Sequence, residues 1–305
     1  MSSTHLKCNA NLICLCLLFL AGTGYAADLR PPTGGGSVLI GFSGNGKLIT
    51  SDGALVYRDE DILRYNFQQQ TWSMFFDGSD LGIRGDINAF SARTDGALLF
   101  SLEAPEQISD LGLIDDSDIL LFEPESIGAN TSGTLSVYFD GSDVGLSTSN
   151  EDIHALSMLD NGNLLISTNG NAIVPGLTVA DEDLLEFSPT TLGAATTGTW
   201  SRFLDGSTVE LAKSTEDIRA ASLDGNNLHL VTLSTFAAGA VQGRSSDIFT
   251  CTLTRTAAST TCLFTLLAKG ADIGSGSRAI DSIRYIPDTE SVSYTHLTLP
   301  TICSV

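Results

Sequence analysis

Phe75–Gly82 reads FFDGSDLG, and three later stretches repeat it: YFDGSDVG at Tyr138–Gly145, FLDGSTVE at Phe203–Glu210 and LAKGADIG at Leu267–Gly274. Their shared glycines, Gly78, Gly141, Gly206 and Gly270, lie 63, 65 and 64 residues apart. Self-similarity at a fixed period marks tandem supersecondary units, each unable to bury its own faces alone. Three further motifs recur once in each unit. DILRY starts at Asp61, DILLF at Asp118, DLLEF at Asp183 and DIFTC at Asp247. After each DGSD-type turn comes GDINAFS at Gly85, EDIHALS at Glu151, EDIRAAS at Glu216 or a degraded RAIDSIR at Arg278. Turn-plus-apolar runs complete the unit: GNGKLIT at Gly44, TDGALLF at Thr94, DNGNLLI at Asp160 and DGNNLHL at Asp224.

Each unit thus predicts four short strands, with β-branched and aliphatic runs punctuated by Gly, Asn and Asp. Strand A is the INAFS or IHALS run, B is LLF or LLIS, C is DLLEF, and D ends in YFDG. Pro124 and Pro189 mark the C–D turns. The fold class is all-β: tandem four-stranded antiparallel repeats stacked as a β-propeller, because radial stacking covers both faces of each sheet. A β-solenoid is disfavoured, its coils being shorter than this period. Ser37–Asn66 fits the first unit with a shortened B–C connection. Asp281–Asp288 reads as the start of a fifth unit, which predicts an array truncated in its C-terminal part. The alternative is that this strand completes the first sheet and closes four blades. Trp72 and Trp200 occupy matching places at the start of strand D and are expected to pack between blades, a ligand-stacking platform being the other use.

The expected organisation is a signal peptide over 1–26, a linker over 27–36 and the repeat domain over 37–290. Lys7, the apolar run Leu12–Leu20 and the Gly24-Tyr25-Ala26 site read as an export signal, too short to span a bilayer. Val292–Thr301, VSYTHLTLPT, resembles a translated sequencing-library adapter, so 292–305 is expected to be artefact and the natural chain to continue.

Acidic residues number 36 against 15 basic ones, a net charge of −21. That balance excludes nucleic acid as an expected partner, since phosphate contacts need Lys and Arg. Outside the two ends no apolar stretch is long enough for a transmembrane helix. Between those ends only Cys251 and Cys262 remain, flanking the C–D connection of the fourth unit; in an exported chain they predict a disulfide.

FDGSDVGL followed by EDIHALS, and DEDLLEFSPTTLG followed by GTWS, resembles a group of uncharacterised exported bacterial repeat proteins. The resemblance covers nearly all of Ser37–Asp288. It implies a propeller-like fold and a surface or extracytoplasmic location, and no known reaction. The Gly-His and Trp-Asp pairs of WD40 blades and the Gly-Gly doublets of kelch repeats are missing.

No catalytic constellation is expected. His154 and His229 are isolated in strands A and B, and there is no nucleophile elbow, zinc helix or phosphate loop. The carboxylates are more informative. Meander parity puts the D–A and B–C connections on one face and A–B and C–D on the other. The acids before strands C and A and at the end of D then place 21 of the 36 on one face. Calcium wants several such oxygens from loops, and Asp140, Asp143, Glu151 and Asp152 form the best candidate set. Turn chemistry is the competing role, since Asp side chains hydrogen-bond nearby backbone. The functional expectation is an exported, non-enzymatic binding or surface-scaffold module for a protein or carbohydrate ligand. The alternative is a secreted propeller hydrolase working from the acidic face.

Overall fold

The structure, a computed structural model, describes residues 35–288 apart from 94, 257 and 258. The expected signal peptide and the adapter-like tail lie outside the described residues. Strands β1 (Gly36–Phe42), β2 (Gly46–Thr50), β3 (Gly53–Tyr57), β4 (Ile62–Asn66) and β5 (Thr71–Phe76) come first. The second unit holds β6 (Ala89–Ala92), β7 (Leu98–Ser101), β8 (Glu106–Ile108), β9 (Gly112–Ile114), β10 (Ile119–Ser126) and β11 (Ser132–Phe139). The third holds β12 (Ile153–Met158), β13 (Leu164–Thr168), β14 (Ala172–Val174), β15 (Leu177–Val179), β16 (Leu184–Thr191) and β17 (Thr197–Leu204). The fourth holds β18 (Ile218–Asp224), β19 (Asn227–Thr232), β20 (Phe236–Ala238), β21 (Val241–Gly243), β22 (Ile248–Arg255) and β23 (Thr260–Ala268), followed by β24 (Ile280–Pro287).

These strands form four antiparallel four-stranded sheets, ordered β24-β1-β4-β5, β6-β7-β10-β11, β12-β13-β16-β17 and β18-β19-β22-β23. The molecule is a four-bladed β-propeller, with β24, β6, β12 and β18 packed against one another around the axis. Strand β24 does not open a fifth unit. It pairs with β1 from Gly36↔Pro287 to Phe42↔Ile280 and so supplies the missing A strand of the first blade. This tie closes the ring with backbone hydrogen bonds and leaves β1 no open edge.

Four hydrophobic clusters lie between successive blades. Phe76, Phe100 and Phe122 join blades one and two, and Phe139, Leu164 and Phe187 join two and three. Leu204, Leu228 and Phe249 join three and four, while Val231, Ile248, Val38 and Leu63 close the circle. Each sheet face therefore finds its apolar complement on a neighbour, as the repeat requires. The inner strands are also stitched by side chains. Ser91, Ser157 and Ser222 accept through Oγ from the backbone N–H of Met158, Leu223 and Tyr285 in the next blade, at 2.9, 3.3 and 3.1 Å. Trp72 donates Nε1–H to Ile273 O and Trp200 to Val144 O, at 2.7 and 2.9 Å, each reaching the loop after the preceding blade. Both therefore have the inter-blade role.

Three expectations about local structure change. First, β1 begins at Gly36, inside the stretch expected as linker, and the first strand B is GSVLIGF rather than GNGKLIT. GNGKLIT is one arm of a hairpin. Second, the B–C connection of every unit carries such a flap: β2-β3, β8-β9, β14-β15 and β20-β21. The first unit is thus not shortened. Third, the C–D turns swing sideways instead of sitting on the opposite face. Thr131 and Thr196, in the C–D turns of blades two and three, meet the DGSD loops of blades one and two. Sheet twist accounts for this, because it turns the outer strands away from the axis direction.

Cys251 and Cys262 are joined by a disulfide across β22 and β23, with Cα atoms 5.0 Å apart, slightly nearer than the commonest spacing.

Candidate functional site

The acidic face divides into carboxylates engaged by backbone amides and carboxylates that are not. The first group begins with the Asp that opens strand C. Asp61, Asp118, Asp183 and Asp247 each accept two amide hydrogen bonds, one from three residues upstream and one from the DGSD-type glycine. Asp118 takes Asp115 N at 2.9 Å and Gly141 N at 3.1 Å, and Asp183 takes Ala180 N at 3.1 Å and Gly206 N at 3.0 Å. Asp61 and Asp247 make the same pair with Arg58 and Gly78, and with Arg244 and Gly270. This clamp explains the most regular feature of the repeat. A Cβ on Gly141 or Gly206 would run into the carbonyl oxygen of Ser117 or Glu182, so the backbone approach needs glycine.

Three of the four calcium candidates also belong to this group. Asp140 Oδ1 accepts from Ser142 N and Oγ, and Asp143 Oδ2 accepts from Thr196 N at 2.9 Å. Glu151 accepts from Ser147 N, Thr148 N and Ile173 N at 2.9, 3.0 and 3.2 Å. Burial opposes ionisation of Glu151, but these amides outweigh it and hold its carboxyl below the usual range. Glu216 repeats the arrangement, with Lys213 Nζ added at 2.7 Å. The first D–A loop has no such glutamate, and Glu106 from the β8 arm caps Arg84 N and Gly85 N instead. Among the described residues no three His, Cys, Asp or Glu side chains are grouped to hold a metal ion, so Asp140, Asp143, Glu151 and Asp152 are not brought around one point.

Asp152 belongs to the second group, which surrounds the axis. The N–H of Ile87, Ile153, Ile218 and Ile280 bonds to the carbonyl of Asp59, Asp116, Asp181 and Ser245, at 3.2, 3.1, 3.2 and 2.9 Å. This sets Asp86 beside Asp59, Asp152 beside Asp116 and Asp217 beside Asp181. The fourth blade has Ser245 and Ala279 at these positions. Among the described residues no Lys or Arg forms an ion pair with any of these six acids. One member of each pair, Asp86, Asp152 or Asp217, keeps its proton to higher pH than an ordinary carboxyl. Burial, then the charges of Asp59 and Glu103, pushes Asp86 up to about 7. Burial and Asp116 push Asp152 up to about 7, and burial and Asp181 push Asp217 up to about 6.

Below this rim, the residue after each of those isoleucines forms a floor: Asn88, His154, Arg219 and Asp281. A β-bulge falls at His154, at Arg219 and at Asp281, where the strand gains one residue and re-aims it. Asn88, His154 and Asp281 are 2%, 3% and 0% exposed. Asn88 Nδ2 donates to Glu103 Oε2 at 3.0 Å and to Ile153 O at 2.9 Å. Burial and the Asp86 charge raise Asp281 well above the carboxylate range, so of the two it holds its proton the more firmly. Burial and the nearby Arg219 guanidinium push His154 down to about 4, leaving it neutral at pH 7. Asp86 Oδ1, Asn88 Oδ1, His154 Nδ1, Asp217 Oδ1, Arg219 Nε and Asp281 Oδ2 are all buried without a protein hydrogen-bond partner. Each such atom costs about 1–3 kcal/mol in a folded chain, and six around one axis is a concentration the fold does not require.

The flaps crown the same face. Ile49, Val56, Leu113 and Ile173, on three of them, are 67% to 77% exposed.

No family model matches the chain, and no curated protein matches it. Among solved structures it is similar to YCF48 bound to D1 peptide, at 13% identity and a TM-score of 0.29, over 72% of this chain and 50% of that one. It is similar to the PQQ-bound aldose sugar dehydrogenase of Streptomyces coelicolor, at 12% identity and a TM-score of 0.29, over 72% and 98% of the two chains. A Lactobacillus plantarum protein gives 10% identity and a TM-score of 0.32, over 83% and 99%. Likenesses this distant carry no argument about ligand or reaction. Among the described residues no helix is long and apolar enough to cross a membrane.

Proposed function

We propose that this propeller is an exported, non-enzymatic binding module. Its contact surface is the axial end of the acidic face, and its partner is a protein presenting a basic segment. The observation that carries the reading is the axial floor: four different polar residues at one repeat position, three of them buried and each with an unpartnered buried atom. Around it stand six carboxylates, none of them in an ion pair among the described residues; Arg219 on the floor offsets only part of their charge, and the surplus attracts positive charge. The exposed apolar flap tips favour a macromolecular partner over a lone small molecule. A lysine or arginine side chain entering the rim would donate to the rim carboxylates and to the floor acceptor Asn88 Oδ1.

The hydrolase reading rests on Asp86 and Asp281, two electrostatically coupled carboxyls at the axis. Their close coupling, which raises both carboxyls, counts against it. Glycoside hydrolysis holds its two carboxyl groups about 5 Å apart or more, leaving room for the sugar carbon or water between them.

The test is titration of the full chain with a lysine-rich synthetic peptide, beside an Asp86→Asn/Asp152→Asn/Asp217→Asn variant. The expected result is saturable binding that weakens with salt and is at least about tenfold poorer in the variant. The pH sign is fixed by the raised values. The rim carboxyls shed protons as pH rises through about 6 to 7, so binding should be stronger at pH 8 than at pH 5. Absence of peptide binding, or binding indifferent to the three substitutions, sinks the reading. A neutral oligosaccharide that binds in the peptide's place makes the ligand a carbohydrate, and release of new reducing ends makes the protein a hydrolase.

A further inference from the structure

The four blades act as internal controls for one another, and the fourth departs from the other three in charge. The residue before the clamp glycine is Asp77, Asp140 and Asp205 in the first three units and Lys269 in the fourth. Asp59, Asp116 and Asp181 give way to Ser245, and Asp86, Asp152 and Asp217 give way to Ala279. The residue that donates its N–H to the clamp aspartate is Arg58, Asp115 and Ala180 in the first three units and Arg244 in the fourth, so the first and fourth units share an arginine there. Three acidic positions have thus become basic or neutral on one side of an otherwise acidic face.

A cleft of about 890 Å³ lies at this side, lined by Lys213, Arg244, Lys269, Gln242, Phe236 and Ser277 among others. Its two carboxylates, Glu216 and Asp247, are buried and engaged. Glu216 accepts from Ala212 N, Lys213 N, Ala237 N and Lys213 Nζ, and Asp247 from Arg244 N, Gly270 N and Ser246 Oγ. Lys213 is neutralised by Glu216. The charged groups of Arg244 and Lys269 have no ion-pair or hydrogen-bond partner among the described residues. In a chain of net charge −21, two unmatched cations facing one cavity are the exception.

We propose that this cleft is a second ligand site, for a small organic anion bearing a carboxylate or sulfate group. Arg244 and Lys269 hold the anionic group, while Gln242 and Ser277 contact polar substituents and Phe236 offers an apolar wall. The guanidinium fork suits a two-oxygen anion. The volume falls within the range of small-molecule pockets, far larger than an inorganic ion needs. Repulsion from the rest of the face is screened beyond about 8 Å at physiological salt, so the local cations decide what binds. The site is separate from the axial one and of opposite charge preference.

Ligand-observed NMR of the full chain with sodium glucuronate, glucose and inorganic sulfate tests this. Glucuronate should bind saturably and glucose should not. An Arg244→Ala/Lys269→Ala variant should lose affinity by about tenfold or more, as expected for charge-assisted hydrogen bonds. Neither side chain has a partner to lose, so its melting temperature should match that of the parent. A Lys47→Ala/Arg84→Ala variant removes the same charge outside the cleft and should keep its affinity within about twofold. No saturable glucuronate binding, or equal losses in both double variants, overturns the proposal. Sulfate binding as well as glucuronate removes the organic ligand from it. Neither outcome touches the peptide titration, so the two readings fail independently.

Discussion

Glu151→Ala separates the two roles open to the D–A loop carboxylates. Glu151 accepts three amide hydrogen bonds at 2.9 to 3.2 Å while only 6% exposed. Removing it leaves Ser147, Thr148 and Ile173 N–H without an acceptor. Bonds to a charged acceptor contribute roughly 1.5–3 kcal/mol each. Two of the three share Oε2, and water can reach part of the loop, so about 3 kcal/mol for the set is a reasonable figure. For a domain of this size that lowers Tm by about 6–12 °C. Thermal unfolding by circular dichroism, in EDTA and again in millimolar calcium, is the assay. The drop should be the same in both. A drop confined to calcium would mean that Glu151 serves a cation, and a drop under about 2 °C would refute the capping argument. The pH dependence has a definite sign. The folded carboxyl titrates below its unfolded value, so its contribution is complete above the unfolded value and disappears as pH falls through the folded one. Glu216 should follow the same course.

Gly206→Ala should destabilise by about 2–4 kcal/mol, because the new Cβ meets the Glu182 carbonyl and pushes the clamp apart; Gly162→Ala, at a turn with open space around it, should cost only the positive-φ strain of about 1 kcal/mol. Chemical denaturation of the two variants compares them, and equal costs would remove the close-approach argument. The Cys251→Ser/Cys262→Ser variant should lose about 3 kcal/mol by the chain-entropy relation for a closure of 11 residues, and the parent should show no titratable thiol from this pair when purified from an oxidising compartment. A reactive pair in the parent would contradict the bond.

The period and the parity of the meander were legible because they rest on residues that every unit needs. Gly78, Gly141, Gly206 and Gly270 recur because a backbone carbonyl lies where a Cβ would go. The aspartate opening strand C recurs because two amides depend on it. The flaps were illegible for the opposite reason. Arms of three residues such as Glu106–Ile108 and Gly112–Ile114 are too short to show a period of two. GNGKLIT imitated strand B because its arm alternates like a half-buried strand, while the true β1 is buried throughout and its first residue, Gly36, reads as linker. The C–D turns defied parity because parity counts strand reversals and ignores twist.

The axial floor was hidden in a column that the repeat itself displays. His154 taken alone reads as a packing residue, and Asp281 sits in the degraded RAIDSIR stretch. Aligned on the preceding isoleucine, the column reads Asn88, His154, Arg219, Asp281. The next column reads Ala89, Ala155, Ala220, Ser282, as close packing around an axis demands. A position that served packing alone would have converged on small or apolar residues there too, because each buried polar atom without a partner opposes folding. Four unlike polar residues on four alike strands mean that the axis is not symmetric in what it presents. One blade offers an amide, one a neutral imidazole, one a guanidinium and one a carboxyl of raised pKa. The same logic identifies Lys269 against Asp77, Asp140 and Asp205 at the rim. In this propeller the residues that repeat build the blades, and the polar residues that break the repeat are where a ligand would be recognised.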